Sequence, residues 1–276
     1  MNPHKPAPAG LDEMVRSLWR NRQLILQMTR RDVLGRYRGS LMGLAWSFFN
    51  PLLMLAVYTF VFSVVFKARW GVGEPTSRIQ FALVLFAGVI VHGLLAESIN
   101  RAPGLILGNT NYVKRVVFPL EILPWVVLGS ALFHALVSLL ILLLAQLAFG
   151  GGIPITAGFL PLVLLPLVPM TMGVAWLLAA TGVFIRDIAQ MTGLLTTVLM
   201  FLSPVFYPLS SLPGVLRGWL YLNPLTFIIE QARAVMFLGS APDWAGLGWY
   251  SLVAIAVAGA GFRWFQLTRK GFADVV

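Results

Sequence analysis

The chain has 276 residues, of which 58% are hydrophobic and only 11% charged, and its mean hydropathy is +0.83. A soluble domain carries about 25% charged residues, so this composition excludes an ordinary soluble protein and indicates an integral membrane protein. The net charge of +10 does not indicate nucleic-acid binding, because Lys and Arg gather at the ends of apolar runs, and a chain without cysteine has no disulfide and no cysteine metal site.

The first forty residues contain no long apolar run, so no cleavable signal peptide is expected. Met1 to Gly10 is rich in proline and predicts a loose tail. From Leu11 to Arg22, apolar residues recur on one arc of a helix and charged residues mostly on the other. This pattern favours an amphipathic helix in the cytoplasmic membrane interface over a packed helix of a small cytoplasmic cap. We therefore expect residues 1–40 to form a tail and an interface helix.

The stretch from Arg30 to Pro51 marks where the chain enters the membrane. Four arginines in its first half are followed by no charge until Lys67. Because an arginine near the bilayer centre costs roughly 2.5–3.5 kcal/mol, these arginines should stay at the cytoplasmic surface, and the membrane segment should begin at Leu41. Three glycines at intervals of four predict a smooth helical face for close helix packing, unless they only reflect how common glycine is in membrane helices: Gly35, Gly39 and Gly43.

Six apolar segments are long enough to cross a membrane, at about 41–66, 79–99, 121–149, 157–185, 188–207 and 245–262. Pro51 should kink the first segment, and three prolines should bend the outer half of the fourth: Pro161, Pro166 and Pro169. Arg101 follows Glu97 at i+4, so the two can pair near the inner surface. Fifteen of the twenty Lys and Arg fall on the proposed cytoplasmic side. The positive-inside rule then places both termini in the cytoplasm.

Residues 209–239 are apolar but broken by prolines, and they predict a pair of short helices before the last span. The better of the two has Asn223 as N-cap and Pro224 at its first position, and it closes at Gly239. About 14 residues are too few to cross a bilayer, so we expect re-entrant helices from the outer face rather than a surface loop. The predicted class is thus an all-α integral membrane fold, with residues 41–276 as a six-span domain.

The sequence offers no catalytic motif. No Gly-Lys pair occurs, so the chain has no phosphate loop of the P-loop type. The three histidines are interpreted as isolated. His92 and Glu97 are five residues apart and face different sides of a helix, so His92 is read as a packing or pore-lining residue. We expect no catalytic residue, no metal site and no bound cofactor, and a partner must drive any uphill transport.

The motif Arg-Asp-x-x-x-Arg-Tyr-Arg-Gly-Ser-x-x-Gly-x-x-Trp-x-x-x-Asn-Pro, from Arg31 to Pro51, resembles the permease subunits of polysaccharide ABC exporters. These are the type-2 ABC permeases that export O-antigen and teichoic acid (Wzm-like and TagG-like). The resemblance covers about residues 11–270 and departs at Leu34, where many relatives carry a basic residue. Further matches follow along the chain: Asn111, Lys114, Phe118-Pro119, Glu121, Leu123-Pro124, Arg186-Asp187, Ser203-Pro204, Tyr207-Pro208 and Asn223-Pro224.

The resemblance implies the membrane subunit of an ATP-driven exporter in the cell inner membrane. It implies a homodimer of six-span permeases with two ATP-binding subunits, which would hold ATP and Mg, and a lipid-linked glycan as substrate. Membrane lipids are expected partners and nucleic acid is not. The alternatives are a permease of a drug or lipid ABC exporter on the same fold, a membrane-embedded transferase, which would need a polar catalytic cluster, and a passive channel.

The resemblance also implies four groups of site residues. Coupling to the ATPase is expected in the loop 101–118 and the next inner turn, at Arg101, Asn111, Lys114, Arg115, Arg186 and Asp187. The interface and substrate entry are expected at Arg31, Arg36, Tyr37 and Arg38. Aromatic rings suited to sugar faces, each equally explained by helix packing, are expected along the channel at Trp46, Tyr58, Phe206 and Tyr207. The outer gate is expected at Pro224, Glu230 and Arg233, where the two charges one turn apart can pair.

Overall fold

The computed structural model describes residues 10–65, 78–114 and 118–275, and within these ranges the regular structure is entirely helical. Residues 1–9 of the expected tail and Arg115 of the expected coupling loop lie outside these ranges. The helices are α1 Leu11–Arg20, α2 Arg22–Arg36, α3 Trp46–Tyr58, α4 Arg78–Arg101, α5 Thr110–Lys114, α6 Leu123–Phe149, α7 Leu160–Leu164, α8 Leu167–Phe184, α9 Ile188–Phe201, α10 Gly214–Leu220, α11 Pro224–Phe237, α12 Trp244–Thr268 and α13 Phe272–Val275.

Five helical segments of the described chain are long and apolar enough to cross a membrane: Gly43–Phe62, Ile79–Gly104, Leu120–Phe149, Ile155–Phe184 and Trp244–Val275. The all-α membrane class is therefore confirmed, whereas the count of six spans is not. The remaining candidate, α9, has only 14 residues and ends at Phe201, not at the expected Tyr207. Pro204 has no N–H to offer the Met200 carbonyl, and the Ser203 hydroxyl donates to that carbonyl instead at 2.9 Å.

The core of the bundle lies around α4, which packs against α3, α6, α9 and α11. Its residues from Phe81 to Ala87 are all buried. Helices α8 and α12 pack backbone to backbone, because a Cβ at Gly261 would lie only 2.0 Å from the Gly173 carbonyl oxygen. Small residues permit such close approach between membrane helices. Many side chains of α3, in contrast, face outward, including Leu53 and Val57.

The expectation that Gly35, Gly39 and Gly43 share one helical face is wrong. Helix α2 ends at Arg36, and the chain then turns before α3 begins. Gly39 has a φ of +84° and Gly43 a φ of +52°, which are left-handed values that other residues rarely adopt. The last two glycines therefore form the turn that redirects the chain into the membrane segment, and their spacing of four is not a helix-packing signal.

The N-terminal region contains two helices where the sequence predicts one. The first, α1, ends at Arg20 because the Asn21 amide donates back to the Ser17 carbonyl at 2.8 Å, and α2 then begins at Arg22. Ser17 is buried and donates to the Glu121 carboxylate at 3.1 Å, which ties α1 to the segment before α6. Three residues of the apolar arc of α1 are exposed, Leu11, Val15 and Trp19.

Two predictions from proline and capping residues are confirmed. The fourth span is interrupted at Leu165 and Pro166, between α7 and α8. The Asn223 side chain caps α11 by accepting from the Leu225 N–H at 2.9 Å, and Gly239 closes it with a φ of +64°. Most of α11 is buried, so the alternative of a surface loop is wrong: Leu225, Thr226, Ile228, Ile229, Ala232, Arg233, Val235 and Met236.

Candidate functional site

Helices α2, α4 and α6 are joined by a set of ion pairs and hydrogen bonds that we call the charge cluster: Asp32, Arg36, Tyr37, Glu97, Arg101, Ser130 and His134. At one end, Arg101 donates to both carboxylate oxygens of Asp32 at 2.7 and 2.9 Å, and the buried Ser130 hydroxyl donates to the same carboxylate at 2.6 Å. Burial raises the pKa of Asp32, but these hydrogen bonds and the nearby arginine charges outweigh it and hold that pKa below its usual range.

At the other end of the charge cluster, Glu97 is the shared partner. Arg36 approaches its carboxylate at 2.9 Å, and His134 Nδ1 lies 2.9 Å from the other oxygen. The same Nδ1 lies 3.2 Å from an Arg36 nitrogen, and Nε2 of the ring lies 3.0 Å from the Tyr37 hydroxyl. The predicted pair between Glu97 and Arg101 is present at 3.8 Å, although Asp32 is the closer partner of Arg101.

Four members of the charge cluster, Arg36, Tyr37, Glu97 and His134, line one wall of a cavity of about 260 Å³ between α2, α3, α4 and α6. The other walls combine apolar side chains such as Met54 and Phe86 with the polar Asn50 and Ser138. Arg36 pairs with the Glu97 carboxylate, and Arg101 pairs with the Asp32 carboxylate. The cluster therefore holds three helices around the cavity, and widening the cavity at this point requires these ion pairs to separate.

The sequence reading missed three members of this cluster. Asp32 lies inside the motif between Arg31 and Pro51, but the resemblance implies no role for it. Ser130 and His134 lie in an apolar span, where the sequence predicts no site. The interpretation of His134 as isolated is wrong. A signal was available, since Ser130, His134 and Ser138 recur every four residues and so mark one polar stripe along α6. In contrast, His92 is a packing residue as expected: it is buried, and its Nε2 lies 2.9 Å from the Thr196 carbonyl.

The predicted coupling residues fall into two groups. Arg101 faces inward and is bound by Asp32, whereas Asn111 and Lys114 are exposed on α5. Arg186 and Asp187 are exposed in the turn between α8 and α9. This turn and the loop after α4 lie at the same end of the bundle, because a Cβ at Gly182 would meet the Pro103 carbonyl oxygen at 2.6 Å.

The predicted entry residues connect the charge cluster to that loop. Arg31 donates to the Tyr112 hydroxyl of α5 at 3.3 Å, while Arg36 and Tyr37 belong to the charge cluster. Arg38 is exposed. The second half of α2 therefore contacts α5 through Arg31 and the spans α4 and α6 through Asp32 and Arg36.

A second ion pair lies just before α6, where Glu121 contacts both α1 and the residues that follow α12. Arg269 donates to the Glu121 carboxylate at 2.8 Å and to the Phe118 carbonyl at 2.9 Å. The same buried carboxylate accepts from Ser17, and Trp176 donates to the Glu121 carbonyl at 2.9 Å. The residues after α12 and the helix α1 are thus held at one place.

The four predicted channel aromatics lie on α3 and in the segment after α9. Trp46 is exposed at the start of α3, and Tyr58 packs against the core at its end. Phe206 stacks on Phe62 with ring centres 5.7 Å apart, and the Tyr207 hydroxyl donates to the Phe201 carbonyl at 3.1 Å.

Of the predicted outer-gate residues, Arg233 is buried, and Pro224 and Glu230 are partly exposed. Pro224 occupies the first position of α11, and Arg233 pairs with Glu230 at 3.3 Å as expected. Arg233 is buried and also donates to three backbone carbonyls, those of Val84, Pro204 and Val205. These bonds join α11 to α4 and to the turn after α9, so the guanidinium satisfies carbonyls that would otherwise be costly to bury.

Comparison with known proteins shows similarity along nearly the whole chain. Residues 23–237 match the family model described as ABC-2 type transporter. The chain is 28% identical to the O-antigen export system permease protein RfbA of Myxococcus xanthus, over 95% of this chain and 99% of that protein. It is 22% identical to the protein of the same name from Klebsiella pneumoniae, over 92% and 95%. It is 23% identical to the polysialic acid transport protein KpsM of Escherichia coli, over 87% and 91%.

Proposed function

Since the chain belongs to the ABC-2 type transporter family, we propose that it is the membrane permease subunit of an ATP-driven exporter that moves a lipid-linked polysaccharide from the cytoplasm across the inner membrane. The observation that carries this proposal is the near full-length similarity to permeases named for O-antigen export and polysialic acid transport. The resemblance of the motif between Arg31 and Pro51 agrees with it.

The proposed assembly is a homodimer with two ATP-binding subunits, and both termini face the cytoplasm. ATP hydrolysis belongs to those partner subunits. In this assembly α9 begins the fifth of six spans. Its 14 residues cover about 21 Å of a hydrocarbon core of about 30 Å, so the chain from Leu202 to Tyr207 must complete the crossing. Helices α10 and α11 then form the re-entrant pair at the outer face.

The proposed coupling surface is the exposed part of the loop after α4 together with the turn between α8 and α9. Asn111, Lys114 and Arg115 would meet the ATPase, with Arg186 and Asp187 beside them. Two contacts support a route from this surface into the membrane. Arg31 contacts Tyr112 on α5, and Arg101 at the end of α4 holds Asp32 on α2. A displacement of α5 would therefore move α2 and strain the charge cluster.

The proposed substrate path begins at the cavity beside the charge cluster. Arg31, Arg36, Tyr37 and Arg38 form the entry, and separation of Arg36 from Glu97 would widen it. Further along, the aromatic rings offer faces for sugar units, at Trp46, Tyr58, Phe206 and Tyr207. The outer gate consists of α10 and α11, with Pro224 at the start of α11 and the pair of Glu230 and Arg233 holding it against α4.

Deletion of the gene that encodes this chain, in the organism that carries it, tests the proposed function. We expect lipid-linked polysaccharide to accumulate in the cytoplasmic leaflet and to disappear from the cell surface, and expression of the chain to restore surface display. Normal surface polysaccharide in the deletion strain, combined with new sensitivity to a small apolar drug, would instead support the drug-exporter alternative.

A further inference from the structure

The residues that follow α12, which we call the C-terminal segment (269–275), lie against the bundle at the end that carries α5. Within α13, Phe272 has no exposed surface, whereas Ala273, Asp274 and Val275 are exposed. A four-residue helix is too short to be stable alone, so the packing of Phe272 must hold it in place. The neighbours of this ring therefore fix where the segment lies.

Phe272 contacts the ends of two spans. Its ring centre lies 5.4 Å from that of Phe265 on α12 and 6.1 Å from that of Phe184, the last residue of α8. Gly271 keeps the chain close to α8, because a Cβ at this position would lie 3.3 Å from the Phe184 ring. The turn between α8 and α9, one half of the proposed coupling surface, begins directly after Phe184. Phe272 therefore supports the start of that turn.

Arg269 links the same segment to the other half of the proposed coupling surface. It donates to the Phe118 carbonyl at 2.9 Å, and the Phe118 ring stacks on Tyr112 of α5 with ring centres 4.4 Å apart. A second bond of Arg269, to the Glu121 carboxylate at 2.8 Å, fixes the guanidinium beside α6. Helix α13 also packs against α5 itself. The C-terminal segment thus contacts both halves of the coupling surface, although α5 and the turn are distant in the sequence.

We infer that the C-terminal segment positions the coupling surface, with Phe272 holding the turn between α8 and α9 and Arg269 holding α5. Phe272 has no exposed surface, so it acts on the ATP-binding subunit only through the elements that it packs against. A surface that is already ordered binds its partner without the cost of ordering it. The inference rests on the proposed function, which supplies the ATP-binding subunit. The competing role is general support of the fold.

Distances between two spin labels test the arrangement in the full chain. The protein has no cysteine, so Asn111→Cys on α5 and Asp187→Cys in the turn, both at exposed positions, can each carry one nitroxide label. The labelled chain is mixed with an excess of unlabelled chain before reconstitution in lipid nanodiscs, so that the measured distance joins two labels of one chain. We expect a narrow distance distribution, which Phe272→Ala broadens because α5 and the turn lose their common support.

Binding of the ATP-binding subunit is measured in the chain without added cysteines. Phe272→Ala should weaken it about three- to tenfold, because the loosened surface has to be ordered on binding. Phe272→Leu keeps most of the apolar contact and should restore both the narrow distribution and the binding. Phe262→Ala is the matched control: this ring of α12 is also buried but packs on Trp176, with ring centres 5.0 Å apart. Its loss should lower thermal stability without changing either the distances or the binding.

If Phe272→Ala does not fold, Arg269→Met, which releases the Phe118 carbonyl, should show the same two changes. An unchanged distance distribution in the folded variants would overturn the inference, as would unaltered binding or a loss of binding that Phe262→Ala matches. If the wild-type chain binds no ATP-binding subunit while the distances respond as expected, the proposed function is wrong, whereas the support of α5 and the turn by the C-terminal segment stands.

Discussion

Asp32 joins two helices that are far from it in the sequence, α4 through Arg101 and α6 through Ser130. Its three short hydrogen bonds include a bidentate pair with a guanidinium, which is a strong geometry. Removing the carboxylate leaves the Arg101 charge and a fully buried hydroxyl without their main partner. The effect on stability should therefore exceed that of an exposed ion pair.

We expect Asp32→Ala to lower the free energy of unfolding by about 1.5–3 kcal/mol, because hydrogen bonds to charged groups of this kind contribute that much. Asp12→Ala is the matched control, since the pair of Asp12 and Arg16 is 3.5 Å long and largely exposed, and such pairs contribute about 0–1 kcal/mol. Thermal unfolding of the detergent-solubilised chain measures both. Equal losses in the two variants would show that the charge cluster does not hold α2 to the spans.

Local pairs could be predicted at the residue scale, and distant ones could not. The spacing of Glu97 and Arg101, and that of Glu230 and Arg233, brings each pair onto one helical face, and both pairs are present. The partner of Arg101 that binds it most closely is 69 positions away, and no spacing rule indicates that contact.

At the scale of elements, the contact between α4 and α11 depends on one glycine. A Cβ at Gly88 would lie 2.9 Å from the Arg233 guanidinium and 3.4 Å from the Val205 backbone. Gly88 therefore provides the space through which Arg233 reaches the carbonyls of α4 and of the turn after α9. Gly93, on the same helix, has open space around it.

Gly88→Ala should displace Arg233 and destabilise the chain by about 1–3 kcal/mol, as overpacking of a well-filled interior does. Gly93→Ala should be neutral or stabilising by roughly 0.5–1 kcal/mol, because alanine is the better helix former. If α11 closes the exit, vesicles that carry Gly88→Ala should also leak a small dye without ATP. A stable, tightly sealed Gly88→Ala protein would contradict this account of the α4–α11 contact and of the gate.

The coupling surface is tested by reversing its exposed charge. Lys114→Glu combined with Arg115→Glu should reduce co-purification of the ATP-binding subunit severalfold, because complementary charge at an interface is replaced by repulsion. The Lys114 side chain is exposed, so the free energy of unfolding should change by less than about 0.5 kcal/mol. Arg263→Glu, at an exposed arginine outside the predicted coupling set, is the control. Undiminished co-purification of the double variant would count against this surface.

Element boundaries were predictable where capping residues or prolines set them. Asn223 and Gly239 delimit α11, and prolines interrupt the fourth span, because these residues act through their own backbone. The turn after α2 was not predicted, because spacing alone cannot tell a helical face from glycines with left-handed φ.

At the scale of the whole molecule, composition and apolar length predict the all-α membrane class. The bilayer requires every backbone polar group to be satisfied within a helix or a closed barrel, and continuous apolar runs of about 20 residues are typical of helices. The number of crossings is harder to predict, since the apolar sequence continues past Phe201 while the helix stops there. The arrangement of the site depends on which helices meet, and the charge cluster arises from such contacts between distant segments.

Reconstituted transport tests the central claim most directly. Vesicles are prepared with the chain, its ATP-binding subunit and a lipid-linked polysaccharide on the side of that subunit, and an added glycosidase reports how much glycan has crossed. We predict that crossing requires ATP and both proteins, and that the chain alone hydrolyses no ATP. Glycan that stays on its original side while ATP is hydrolysed and a small apolar drug is moved would contradict the account.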